Sequence, residues 1–222
     1  GPITIWTDKI VQITVPEGDA VRSSNEAIVS VTQDGTLTGG RKEGRAEVIV
    51  GNSTWVVYNY ASEAEYNYLY SLFHEKRISV MGDSISTIEN KIPDDNALYY
   101  DNTTSAKTMT FERNYWGDII TRFGAAEGID EVWSGSTIGS KAASMASKDR
   151  IIKLDDNGTP DVILYYGGSN PDGSVGTFDP NADYAKTVDW AKSYSDTASA
   201  YAASLQRMKE TYPDAEIIAI IP

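Results

Sequence analysis

Cysteine is absent from the 222 residues, and histidine occurs once, as His74. The first absence excludes disulfides, thiol nucleophiles and thiolate metal sites, and leaves the compartment open. The second leaves one imidazole for acid–base work. Positive charge is scarce too: 19 Lys and Arg stand against 32 Asp and Glu, for a net charge of -13 and a pI near 4.4. Such a chain has no basic face for a nucleic acid, and its charge bears on solubility rather than fold. No run reaches the ~18 apolar residues of a membrane-crossing helix, and the amino terminus lacks the pattern of a signal peptide. The chain opens Gly1-Pro2 without Met, which reads as a trimmed boundary. It closes on Ile220-Ile221-Pro222 straight after an apolar run, an abrupt place for a domain to stop.

What is present falls into three stretches. Residues 1–60 read as short strands: Ile3–Trp6, Val11–Val15, Ile28–Val31, Ala46–Val50 and Trp55–Tyr58. Turn signals separate them at Pro16-Glu17-Gly18, Asp34-Gly35, Gly39-Gly40 and Gly51-Asn52, a spacing that predicts a small β-sandwich. Residues 61–76 predict a linker helix with Tyr66, Leu69, Tyr70 and Phe73 on one face. His74 at its end, beside Glu75 and Lys76, reads as a solvated helix-end residue. From residue 77 on, strand-like runs (77–82, 131–134, 161–166, 215–221) alternate with helical patterns (116–126, 142–152, 187–212). The last helix carries Trp190, Tyr194, Tyr201, Leu205 and Met208. That alternation predicts a parallel sheet covered on both faces, with ligands beyond the carboxyl ends of its strands.

The polar turns fall at those ends. Arg77-Ile78-Ser79-Val80-Met81-Gly82-Asp83-Ser84 reads as a buried strand rising to a tight turn, with a helix-competent segment after it. A serine there exposes its hydroxyl at the sheet edge, beside the amides of the segment that follows, which suits a nucleophile and the oxyanion it creates. The same letters also suit a serine cap after a strand, with Asp83 as a turn residue. Asp155-Asp156-Asn157-Gly158 and Asn170-Pro171-Asp172-Gly173 have a calcium-loop flavour but no glutamate at the required spacing, so they read as turns, and Asp94-Asp95 reads as a solvated loop. Tyr99, Tyr100, Tyr115 and Trp116 are candidates for lining a carbohydrate cleft.

Two resemblances sharpen this. Residues 20–50, with Ser23-Ser24-Asn25-Glu26-Ala27-Ile28-Val29-Ser30-Val31, Asp34-Gly35-Thr36-Leu37-Thr38-Gly39 and Ala46-Glu47-Val48-Ile49-Val50, resemble the bacterial Ig-like domain of group 2, a surface spacer or adhesive module. Residues 77–222 resemble the SGNH (GDSL-type) hydrolases in three blocks: Gly82-Asp83-Ser84, Trp133-Ser134-Gly135-Ser136 and Gly168-Ser169-Asn170. The resemblance implies a flavodoxin-like three-layer α/β/α fold and ester hydrolysis through an acyl-enzyme. Ser84 would be the nucleophile, with the amides of Ser84 and Gly135 and the side chain of Asn170 holding the oxyanion. No cofactor or metal is implied. Two departures stand out. Pro171 follows Asn170 where the family usually has Asp. The fourth block, Asp-x-x-His, has no counterpart, since no histidine follows Ser84. The expectation is therefore a hydrolase domain lacking its last portion, with the family's last strand missing beside residues 215–221. That open edge is a place for self-association or a partner chain. The implied protein is a secreted or cell-surface bacterial esterase acting on a small-molecule or glycan ester, a carbohydrate O-acyl group foremost. The alternative is a noncatalytic glycan-binding or scaffold protein that keeps the fold.

Overall fold

The computed structural model describes residues 1–89, 109–139, 144–170, 174–177, 194 and 196–221. The expectations at Asp94-Asp95, Tyr99, Tyr100, Pro171-Asp172-Gly173 and Trp190 lie outside them. The chain divides into two compact units, Gly1–Leu72 and Phe73–Pro222.

The first unit holds β1 (Ile3–Trp6), β2 (Ile10–Gln12), β3 (Val21–Ser23), β4 (Val29–Val31), β5 (Thr36–Gly39), β6 (Gly44–Val50) and β7 (Ser53–Tyr60). They form a four-stranded sheet, β1-β7-β6-β3, and a three-stranded one, β2-β5-β4. β1 runs parallel to β7, and the other pairs are antiparallel. β6 shows how the sequence dictates this: Ala46, Val48 and Val50 are buried while Arg45, Glu47 and Ile49 are not, the period of two that turns one face inward. Ile5, Ile13, Val29, Leu37, Val48 and Val57 meet in one core. The expected strand Val11–Val15 is cut short at Gln12, because the Ile13 amide turns to the carbonyl of Gly35 (3.0 Å). β3, of three residues, is too short to carry a periodic signal. α1 (Glu63–Phe73) follows, with Phe73 buried, Tyr66 and Leu69 half-buried and Tyr70 exposed.

The second unit is built on β8 (Arg77–Gly82), β9 (Ala126–Val132), β10 (Val162–Tyr166) and β11 (Glu216–Ile220), with α2 (Tyr115–Phe123), α3 (Lys148–Ile152) and α4 (Thr197–Thr211). All strand pairs are parallel, in the order β11-β10-β8-β9. This is the expected arrangement: the Ser84 strand lies between those ending near Ser134 and Tyr166. Ile78, Ser79, Val80 and Met81 are all buried, so both faces of β8 are covered. Met81, Ile163 and Tyr165 pack with Ile151, Leu154, Ala200 and Met208 in one core. Among the described residues β11 pairs with β10 alone, leaving Ile217, Ile218 and Ile220 half-buried.

Several boundaries differ from the sequence reading, each for a local reason. The helix expected to run to residue 126 stops at Phe123, because Gly124 adopts φ 65 and its amide bonds the Ile120 carbonyl. The helix expected over 142–152 starts only at Lys148. The amides of Met145 and Ala146 bond the carbonyls of Thr137 and Ile138 instead, and Ser144 Oγ donates to Ile138. Of the helix expected over 187–212, α4 covers Thr197–Thr211, capped by Asp196, whose side chain accepts from the Ser199 amide, and 187–193 and 195 lie outside the described residues. The helix-competent segment after Ser84 forms a 3-10 turn, Ser84–Ser86. Thr87 Oγ1 folds back onto the Ser84 carbonyl (2.7 Å), the competition by which Ser and Thr oppose helix.

Candidate active site

The carboxyl ends of β8, β9 and β10 lie side by side, with Gly82 in register with Val132 on one neighbour and Tyr166 on the other. Each strand runs directly into one of the three polar turns. The backbone joins two of them at once: the Trp133 amide donates to the Gly82 carbonyl (3.2 Å).

Asp83 and Ser84 divide the work of the first turn. Asp83, fully buried, is the cap: its Oδ1 accepts from the Ile85 amide (3.0 Å), the job the sequence also allowed for Ser84. Its Oδ2 accepts from the Ser169 amide (3.3 Å), which ties the third turn to the first. Ser84 is half-exposed, and among the described residues its hydroxyl has no hydrogen-bond partner. Buried polar groups back the turn. Ser86 Oγ pairs with the Tyr115 hydroxyl (2.9 Å), Trp116 Nε1 donates to the Ser86 carbonyl (2.8 Å), and Asn114 Nδ2 donates to the carbonyls of Ile85 and Thr87 (3.3 Å each). Burial raises the Tyr115 phenol far above its usual value, so it stays neutral. Its ring lies 5.7 Å from that of Tyr166.

Gly135 occupies the left-handed region at φ 79, where a side chain would be strained, and nothing lies within 4 Å of where a Cβ would stand. The turn thus presents bare backbone to open space. Asn170 Nδ2 donates to the Ser136 carbonyl (2.9 Å), which brings the second and third turns together. An amide nitrogen carries two protons, so this bond leaves one for an incoming oxygen. The three residues singled out from the sequence therefore lie on three turns stitched to one another.

Sequence reasoning missed the group beneath them. Arg150, 1% exposed on α3, reaches the Glu131 carbonyl (2.6 Å), Glu131 Oε2 (3.4 Å), the Gly82 carbonyl (3.3 Å) and Ser136 Oγ. Its guanidinium lies 4.1 Å from the centre of the Trp133 ring. Burial pulls Arg150 down to about 10, so it remains charged at neutral pH. Burial pushes Glu131 up, and Arg150 opposes that rise. In the sequence Lys148-Asp149-Arg150 resembles any solvated helix start, and no local signal marks the arginine as buried.

His74 is far from this site. Six residues of β8 separate the two ends, roughly 20 Å at about 3.3 Å per residue, and His74 precedes the strand that Ser84 follows. It is half-buried rather than solvated: its Nδ1 donates to the Phe123 carbonyl (2.8 Å) at the end of α2. The residues 155–158 form a turn, with the Gly158 amide on the Asp155 carbonyl (2.8 Å) and Gly158 at φ 91. Among the described residues no group of three or more His, Asp or Glu is placed to hold a metal ion.

The family model for GDSL-like lipase/acylhydrolase matches residues 76–222. Among solved structures, a protein described as a GDSL-like lipase from Bacteroides ovatus is similar, with a TM-score of 0.50 and 25% identity over 66% of this chain and 72% of that one. Another so described, from Bacteroides uniformis, gives 0.46 and 27% over 65% and 70%. A carbohydrate esterase family 2 enzyme with a carbohydrate binding domain, from Corynascus thermopiles (Myceliophthora fergusii), gives 0.40 and 14% over 97% and 68%. No curated protein matches.

Proposed function

The chain belongs to the GDSL-like lipase/acylhydrolase family, and on that premise we propose that it is a serine esterase working through an acyl-enzyme on Ser84. The observation that carries this reading is the joining of the three turns: Trp133 to Gly82, Ser169 to Asp83, Asn170 to Ser136. Ser84 Oγ attacks the acyl carbonyl, whose oxygen takes up negative charge. The amides of Ser84 and Gly135 and the free N–H of Asn170 receive it. The alcohol leaves with a proton, and water then releases the acid from Ser84. A hydroxyl needs a base for the first step. His74 is excluded by its place at the other end of β8, so the imidazole of this reading is not one of residues 1–222.

A carbohydrate O-acyl ester is the substrate class we favour. Tyr166, partly exposed at the end of β10 with its ring 5.7 Å from that of Tyr115, supports this reading, whereas Trp116 is fully buried and lines no cleft. The strands before residue 60 are then an Ig-like spacer of a secreted or surface protein, and the side of β11 that pairs with none of the described residues is an edge for a second copy or another chain. Light scattering tests the edge: a monodisperse monomer of these residues opposes it. A second reading is a glycan-binding or cell-surface scaffold protein that keeps the fold without the chemistry.

The deciding experiment is hydrolysis of p-nitrophenyl acetate and of an acetylated oligosaccharide. Residues 1–222 alone should stay near background, because losing the imidazole leaves only about 10³–10⁴ over water in serine hydrolases. A chain extended by an Asp-x-x-His segment should gain activity that Ser84→Ala removes and His74→Ala leaves intact. An extended chain that binds the oligosaccharide without cleaving it supports the second reading.

A further inference from the structure

We propose that Arg150 is a positioning residue, a fork that locks the second and third turns to the end of the nucleophile strand. The inference rests on the roles given above to Ser84, Gly135 and Asn170. Its contacts are the argument. One guanidinium reaches the Gly82 carbonyl, two residues before Ser84, and the Glu131 carbonyl and carboxylate at the end of β9. It also reaches Ser136 Oγ, one residue after Gly135. Ser136 in turn accepts from Asn170 through its carbonyl. A single side chain thus sits within one or two residues of each proposed role: it holds Gly82 and Ser136 directly, and Asn170 through Ser136.

Stability alone does not account for it. A buried ion pair is often no more stabilising than apolar side chains of the same volume, and Arg150 is 1% exposed beside Glu131 at 6%. What an apolar side chain cannot supply is a planar set of donors aimed at acceptors on three chain segments. Lysine, a point charge on a flexible stem, cannot supply it either. The guanidinium also lies over the Trp133 ring. Loosening the turn by about 1 Å is the kind of misplacement that costs roughly 10²-fold in rate.

The test uses the full 222-residue chain with two readouts. Hydrogen exchange of the stretch 133–139 needs no catalytic activity. Arg150→Lys should speed exchange there and at 167–170 by about tenfold or more, while 44–60 and 162–166 keep wild-type rates. Labelling of Ser84 by a fluorophosphonate, slow in the wild type, should slow a further ~10–100-fold with unchanged half-saturation by the probe. Ser136→Ala, which removes one tine of the contact and no buried charge, should shift both readouts the same way by less. Unchanged exchange at 133–139 in both variants overturns the proposal. So does loosening that extends equally through 162–166, which would make Arg150 a general support. If wild-type Ser84 takes no label at all, the exchange readout alone decides whether Arg150 holds the turns, and the esterase reading is decided by the extended chain.

Discussion

The two units of the chain bury different things. In the first, Ile5, Val29, Leu37, Val48 and Val57 are wholly enclosed, and among its described residues Asn59 is the one buried polar side chain. In the second, Asp83, Ser86, Thr87, Glu131, Ser136 and Arg150 are buried and hydrogen-bonded around the ends of two adjacent strands. Apolar burial is non-directional: it holds a body together without aiming any atom. A satisfied polar network costs desolvation but fixes one geometry. The contrast marks where this chain spends its order, and it marks the β8 end, not the first unit, as the place where aim matters.

The comparison is sharpest in a pair of truncations. Arg150→Met strands Glu131 in the interior and should cost about 3–5 kcal/mol by urea unfolding; adding Glu131→Leu should restore much of it. Leu37→Ala in the first unit should cost about 2–5 kcal/mol as a cavity, and no second polar substitution should relieve it. Equal, unrelievable losses at both places would erase the distinction. Gly135→Ala comes next. At φ 79 a side chain costs roughly 1–2 kcal/mol, yet the space around it is open, so the loss should be local strain without a clash. A further effect is alkaline. Burial pushes Tyr201 up to about 12 and raises Tyr115 and Tyr212 as well. A raised pKa in the fold contributes stability that is complete below the unfolded value near 10 and is lost as pH climbs toward 12. The urea midpoint should therefore fall over that interval, and Tyr201→Phe should flatten part of the fall.

The legible parts of this molecule are those set by local pattern. The run Ile78–Gly82 reads as a buried strand from its letters alone, and the three turns read as polar strand ends whose joint role comes from their resemblance to the family's blocks. Helix ends were less legible. Asp196 as a cap and Gly124 as a stop are single letters inside longer helical patterns, and the Ser144 turn depends on carbonyls at 137 and 138. Arg150 and Tyr115 were illegible because their burial is a property of what packs over them. Asp83 was read as a turn residue, which it is, but its second oxygen spans 86 residues of sequence to Ser169, a contact no window contains. The sequence places His74 at a helix end before the Ser84 strand, and its distance from Ser84 along β8 is the physical reason it is no base.

The central claim, that Ser84 is the nucleophile, is tested most directly by mapping where a fluorophosphonate attaches. After long exposure, peptide mass mapping of the 222-residue chain should find the adduct on Ser84, with none in Ser84→Ala and an unchanged yield in His74→Ala. The reaction should be slow, since no imidazole stands beside the hydroxyl. An adduct on another residue, or one that persists in Ser84→Ala, would contradict the account.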